Sequence, residues 1–199
     1  MICSDKIGDT LVSKLAERMK KLTAGAEADG HKLPCLFRES AATGVIRLLE
    51  DAVKAGGELV LGDLKRHGAI IQPHLIDRCP TDCDLFIHES FGPVLTVSRV
   101  NDGIQAMIDL VNSSEYTLTN SVYGTNIEDC ITVAKGLRSG SAHINGPSVS
   151  VETNRPAGGL GGPSGYGRFG GQEGINGFTD LRIITINKQK GFVPLVHSH

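Results

Sequence analysis

The stretch VLTVSRVNDGIQAMIDLVNSSEYTLTNSVYGTNIEDCITVAKGLRSGSAHIN, residues 94–145, carries the pattern that sets the fold class. It opens on a β-branched run, Val94 to Val100, that suits a strand. Asn101 stands where a helix cap belongs, and Ile104, Met107, Ile108 and Val111 then recur at helical spacing. Ser121 to Gly124 reads as a short second strand. Asn126 caps another helix, with Glu128 and Asp129 in its first turn and Lys135 and Arg138 in its last, so both signs complement the helix dipole. Ile131, Ala134 and Leu137 form its apolar face, Gly140 is read as its stop, and Ala142 to Asn145 returns as a strand. This alternation predicts an α/β layer with a largely parallel sheet flanked by helices.

Upstream, Ile7, Leu11, Leu15, Met19 and Leu22 make one stripe of an amphipathic helix capped by Ser4 or Asp5. Its lysines and arginines read as a solvated face. A second helix is expected over Ala41 to Ala55, with Val45, Ile46, Leu49 and Val53 inward and Gly56-Gly57 ending it. Glu58 to Leu61 and Ala69 to Ile76 read as strands around the turn GDLKRHG. Downstream, ten of the 25 glycines fall between Gly158 and Gly177, and Pro147 to Gly177 is expected to be loop. Phe178 to Lys188 reads as a closing strand.

Composition excludes several classes of partner. A net charge of −2 gives no attraction to nucleic acid or to an anionic bilayer, and no apolar run is long enough to span one. Aromatic residues are 5% with no tryptophan, so stacking surfaces for single strands are absent. No basic-then-apolar leader opens the chain, and the odd, irregular set Cys3, Cys35, Cys79, Cys83 and Cys130 reads as reduced thiols. A cytoplasmic protein is expected. Cys79 and Cys83 have a spacing that offers two metal ligands, but no nearby His/Cys pair completes a zinc set, so no metal is assigned. The seven histidines show no paired helical spacing. GYGRFG (Gly165, Gly167, Gly170) matches G-x-G-x-x-G but lacks the preceding strand and following helix that would set a pyrophosphate on a helix N-terminus.

The segment HESFGPVLTV, residues 88–97, resembles the E-x-F-G-P-V signature of the aldehyde dehydrogenase superfamily. The downstream segments LVNSSEYTLTNSVY, GLRSG, HING, SGYGRFGG and FTDLRIITI agree with the family in order; upstream, the first helix, DAVKAGGELVLG and GAIIQP also fit. The resemblance covers nearly the whole chain and is closest in flavour to salicylaldehyde and related aromatic-aldehyde dehydrogenases. It implies an aldehyde dehydrogenase-like catalytic-domain segment over residues 1–177. Residues 178–199 would be the strand and tail of an oligomerisation region. The implied reaction is attack of a cysteine thiolate on an aldehyde, hydride transfer to NAD or NADP, and hydrolysis by a glutamate-activated water to a carboxylic acid. Glu89 matches the glutamate that holds the nicotinamide-ribose hydroxyls, and Phe91 the aromatic that contacts the nicotinamide end.

The departures are informative. Pro156-Ala157-Gly158-Gly159 lacks the aromatic that some members place in P-F-G-G. The residues up to Ser164-Gly165 run longer than the family pattern and lack its lysine, and Thr117 stands where the family commonly has glycine. The nucleophile motif G-Q-x-C is succeeded in the family by a strand and then the helix that begins here near Ser4. In that register Cys3 lies in the strand. A competing register aligns Met1-Ile2-Cys3-Ser4 with the nucleophile motif and deletes the strand, at a heavy cost to a core. No G-Q precedes Cys3 in either register, so no catalytic residue is assigned. The resemblance implies a chain without the Rossmann half, the general base or the nucleophile, and therefore inactive alone. The implied partners are an aldehyde substrate and either a second copy or a full-length relative, paired through the C-terminal strand in a non-catalytic assembly role.

Overall fold

The first strand, β1 (Ile2–Ser4), runs directly into α1 (Asp5–Met19). The computed structural model describes residues 1–26, 29–101, 103–149 and 154–186. In α1 the buried line is Gly8, Val12 and Ala16, with Leu11, Leu15 and Met19 packed half-buried beside it and Ile7 exposed. The stripe expected from periodicity is thus rotated. The cause is Arg99, whose guanidinium lies so close beneath Gly8 that a Cβ there would come within 2.7 Å of it. Ser4 makes no side-chain cap, and the Asp5 carboxylate is spent on Arg99.

The second helix, α2 (Glu39–Lys54), buries Ala42, Val45, Leu49 and Ala52, with Ile46 and Val53 half-buried against the same core. Its end is the one expected. Gly56 has φ +110°, its N–H donates to Val53 O, and that of Gly57 donates to Ala52 O. The chain then forms β2 (Glu58–Leu61), β3 (Arg66–His67), β4 (Ile70–Ile71) and β5 (His74–Asp77). The single strand expected over Ala69 to Ile76 is split at Gln72-Pro73. Proline has no N–H for a ladder, and the Gln72 amide instead pairs with both backbone groups of Ala24.

A short helix, α3 (Asp84–Ile87), precedes β6 (Val94–Thr96) and β7 (Ser98–Val100). These two are one continuous strand. The Val97 N–H donates to Ile76 O and its carbonyl accepts from Cys79, while Ser98 N–H on the opposite edge donates to Met1 O. The β6/β7 strand therefore lies between β5 and β1, parallel to both, and β2 adds antiparallel outside β5. Side chains alternate across a strand. Leu75 accordingly joins the α1 cluster with Cys3, Val12, Ala16 and Val97, while Ile76 joins the α2 cluster with Leu49 and Ile71. Helices on both faces leave all four residues of β5 buried.

The remainder is α4 (Gly103–Asn112), β8 (Thr119–Val122), α5 (Ile127–Gly136) and β9 (Ser141–Ile144), with β8 and β9 paired in parallel. Position 102 lies outside the described residues, and with it the capping geometry expected of Asn101. Asn126 caps α5 as read, its side chain accepting from Glu128 N–H. The buried residues of these helices are only Ile108 and Cys130; Ile104 and Ile131 of the expected inward faces are exposed. Helix α5 stops at Gly136, not at Gly140. The Gly140 position has a different constraint, since a Cβ there would meet the Gly158 carbonyl.

One expectation for the C-terminal part is corrected, that of a glycine-rich stretch without regular structure. The glycine-rich stretch contains a 3₁₀ turn, Gly162–Ser164, and a helix, α6 (Gly171–Asn176). Gly170 and Gly171, at φ +79° and +58°, let the chain turn into that helix, so glycine here starts regular structure. From Phe178 to Ile186 no strand pairing forms, and positions 187 and 188 lie outside the described residues. A strand needs a ladder partner, and none of the described edges supplies one.

Candidate cofactor-facing site

Glu89 and Phe91 sit on the connection between α3 and β6, and both ends of that connection are anchored. Leu85 and Phe86 of α3 pack onto the α2 core, and His88 N–H closes the helix on Asp84 O. On the other side Gly92 presses on Val45, where a Cβ would sit 3.0 Å from both methyls. Pro93 O accepts from His74 N–H, and Val94 N–H folds back on Gly92 O. Between these anchors Phe91 is held at φ +50°, a region that costs a bulky L-residue on the order of 1–2 kcal/mol. It is nevertheless 76% exposed, and Glu89 is exposed beside it. The structure thus brings together the two residues singled out in the sequence, on one short outward-facing segment.

An exposed carboxylate two residues before an outward aromatic fits one wall of a nicotinamide–ribose site. The carboxylate oxygens can accept from adjacent hydroxyls, and an aromatic face can limit the tilt of a planar ring. Among the described residues no phosphate cradle accompanies them. The helix after the glycine motif has only six residues, and the motif follows the 3₁₀ turn Gly162–Ser164, not a strand.

Cys3 falls in the strand register. It pairs with Arg99 across β1 and β7, is 5% exposed, and packs with Val12, Ala16, Leu75 and Val97. Burial pushes its thiol up; nearby Arg99 pulls the other way without reversing that. A thiol so placed lacks the lowered pKa of an attacking thiolate.

Sequence reasoning missed the ion network beside it. Arg99 is bidentate to Asp77, with Nε to Oδ1 at 3.1 Å and Nη2 to Oδ2 at 2.5 Å, and its Nη1 reaches Asp5 at 3.2 Å and Asp9 at 2.7 Å. Hydrogen bonds donated by Arg99 to Asp77, and then to Asp9, raise the Arg99 pKa. The available signal was the spacing of Asp5 and Asp9 around a glycine, which leaves room for a guanidinium.

Thr117, noted as a departure, is buried and holds the long glycine loop. Its hydroxyl donates to Gly161 O and accepts from Leu160 N–H, and its own N–H donates to Ser164 Oγ. The loop thereby borders an open cleft of about 370 Å³ with Glu115, Arg138 and Tyr166. Glu89 and Phe91 do not line it.

The mixed sheet lies between α1 and α2, with Glu89 and Phe91 exposed just before one of its two inner strands. Residues 1–184 match the sequence pattern of the Aldehyde dehydrogenase family, and the chain belongs to that family. It is 37% identical to a vanillin dehydrogenase of Pseudomonas fluorescens over 98% of its own length and 40% of that protein's. A salicylaldehyde dehydrogenase of Pseudomonas putida is 31% identical over 94% of this chain and 38% of its own. In three dimensions a salicylaldehyde dehydrogenase from Pseudomonas putida G7, complexed with salicylaldehyde, superposes with a TM-score of 0.91 at 28% identity, covering 98% of this chain and 40% of the other. The chain therefore spans about 40% of the length of these relatives. Related structures include complexes with NADP and with NAD+. Among the described residues no helix is long and apolar enough to cross a membrane, and no three His, Cys, Asp or Glu side chains converge as a metal site.

Proposed function

We propose that these 199 residues supply one wall of the nicotinamide site in an enzyme that oxidises aromatic aldehydes to carboxylic acids, and that alone they do not turn over. The observation that carries this reading is the Glu89–Phe91 segment. It is anchored at both ends, holds a phenylalanine in left-handed backbone, and turns it to solvent. Glu89 accepts the ribose hydroxyls and orients the ring, and Phe91 limits its tilt, which matters because hydride transfer depends on alignment. The cofactor, when bound, supplies the hydride acceptor. The relatives' names point to vanillin, salicylaldehyde and benzaldehyde as the substrate class. Cys3 is a packing residue, and neither a G-Q-x-C nucleophile nor its general base stands within the chain.

Calorimetry on the folded chain tests this with NAD+ and NADP+. Weak saturable binding that disappears in Glu89→Ala is expected, together with no oxidation of benzaldehyde. Oxidation of benzaldehyde abolished by Cys3→Ala would overturn the assignment of Cys3 to the core and of the chain as inactive alone.

A second reading rests on the exposed segment before position 187. Leu181 and Ile183 are 94% and 82% exposed, with Ile184 and Ile186 also outward. A chain with such a segment serves as an assembly module, pairing this edge with a second copy or with a full-length relative. Residues 178–199 are accordingly proposed as the oligomerisation part, and 1–177 as the catalytic-domain part.

A further inference from the structure

The sulfurs of Cys79 and Cys83 lie 3.8 Å apart, and both residues are buried, at 3% and 9% exposure. They belong to the sequence CPTDC between β5 and α3, outside the Glu89–Phe91 segment. Cys79 is fixed by the sheet, its N–H on Val97 O and its carbonyl on Ser98 Oγ–H. Cys83 sits at the N-cap of α3, and both thiols point at Pro80 O, Cys83 at 3.1 Å and Cys79 at 3.7 Å. Each sulfur thus has the other as its nearest reactive neighbour. A metal is the weaker reading, because two thiols are half of a tetrahedral set and no third ligand group joins them among the described residues.

We propose that Cys79 and Cys83 form a reversible intrachain disulfide under a hydroperoxide oxidant. A disulfide has S–S of about 2.0 Å, so the sulfurs must approach by less than about 2 Å, within reach of a small change in the Pro80–Cys83 turn. Cys83, the less buried, takes the first oxygen. Its sulfur attacks one peroxide oxygen, the O–O bond breaks, and Cys83 sulfenic acid and water are formed. The Cys79 sulfur then attacks the Cys83 sulfur, the S–O bond breaks, and a second water leaves with the Cys79 proton. In sum two thiols are oxidised and one hydrogen peroxide is reduced to two waters. Burial pushes the Cys79 thiol up to about 12. The closing step therefore waits on a momentary opening of the turn and runs slower than oxidation of the exposed Cys35. The bond does not depend on the cofactor reading, but it pins the turn that launches α3 and the Glu89–Phe91 segment.

Trypsin cutting after Arg78 and Arg99 isolates both cysteines in one peptide, with Cys35 in another as internal reference. The whole chain is exposed to hydrogen peroxide, quenched, denatured, alkylated and digested. The 79–99 peptide is expected to lose about 2 Da and take no alkyl group, and to take two after dithiothreitol. Cys83→Ser should leave a peptide that takes one alkyl group. Uptake of two alkyl groups without reductant, addition of oxygens as sulfinic or sulfonic acid, or a Cys83-linked dimer would each overturn the proposal.

Discussion

At the scale of single residues, two buried polar groups carry the sharpest consequences. Arg99 and Asp77 have side chains only 7% and 4% exposed, and each neutralises the other. Arg99→Met keeps the stem but leaves the buried Asp77 carboxylate without its counter-charge, with only the Arg78 N–H still donating to it, and should lower unfolding free energy by about 3–5 kcal/mol, measured by chemical denaturation. The double variant Arg99→Met/Asp77→Leu should recover much of that loss. His74 is fully buried and held neutral, with Nδ1–H donating to Gln72 O and Nε2 accepting from Leu64 N–H. Burial lowers its pKa, partly opposed by the Gln72 hydrogen bond and the Asp63 charge. A depressed folded pKa means the unfolded state takes up the proton first. This stabilisation is complete above the ordinary histidine range near about 6.5 and is lost as pH falls through the folded value. Melting temperature should drop between neutral and mildly acid pH, and His74→Gln, which does not titrate, should flatten that drop.

At the scale of elements, caps and closures reflect local chemistry. Asn126→Ala removes the acceptor for Glu128 N–H and should cost about 1 kcal/mol, with the loss confined to α5 in hydrogen exchange. Asn112 ties α4 to the end of α5, donating to Gly136 O and accepting from Arg138 N–H, and Asn145 clasps both backbone groups of Gly124. These bonds supply in polar contacts what this part lacks in burial. The Thr117 hydroxyl does the same for the glycine loop. Thr117, Leu160, Gly161 and Ser164 form one bonded unit that ties the glycine loop to the segment leading into β8.

At the scale of the whole molecule, apolar surface is unevenly shared. Leu181, Ile183, Ile184 and Ile186 are exposed beyond α6. Sedimentation should show association rising with concentration, and Leu181→Lys/Ile183→Lys should return the chain to monomer; a strict monomer at high concentration would contradict the assembly reading. The alternation of strand and helix from Val94 to Asn145 was legible because each element is patterned locally, as were the Gly56-Gly57 stop and the Asn126 cap. Glu89 and Phe91 were legible as a motif of adjacent residues. Contacts distant in sequence were not. The rotated face of α1 depends on Arg99, 91 positions after Gly8 in a different element. The approach of Cys79 to Cys83 depends on how a turn folds, and the constraint at Gly140 on where Gly158 passes. The order and kind of elements therefore come from short-range periodicity and capping. Which faces are buried, which charges meet and whether the last apolar run finds a strand partner come from packing between segments far apart in the chain, where no local pattern carries the information.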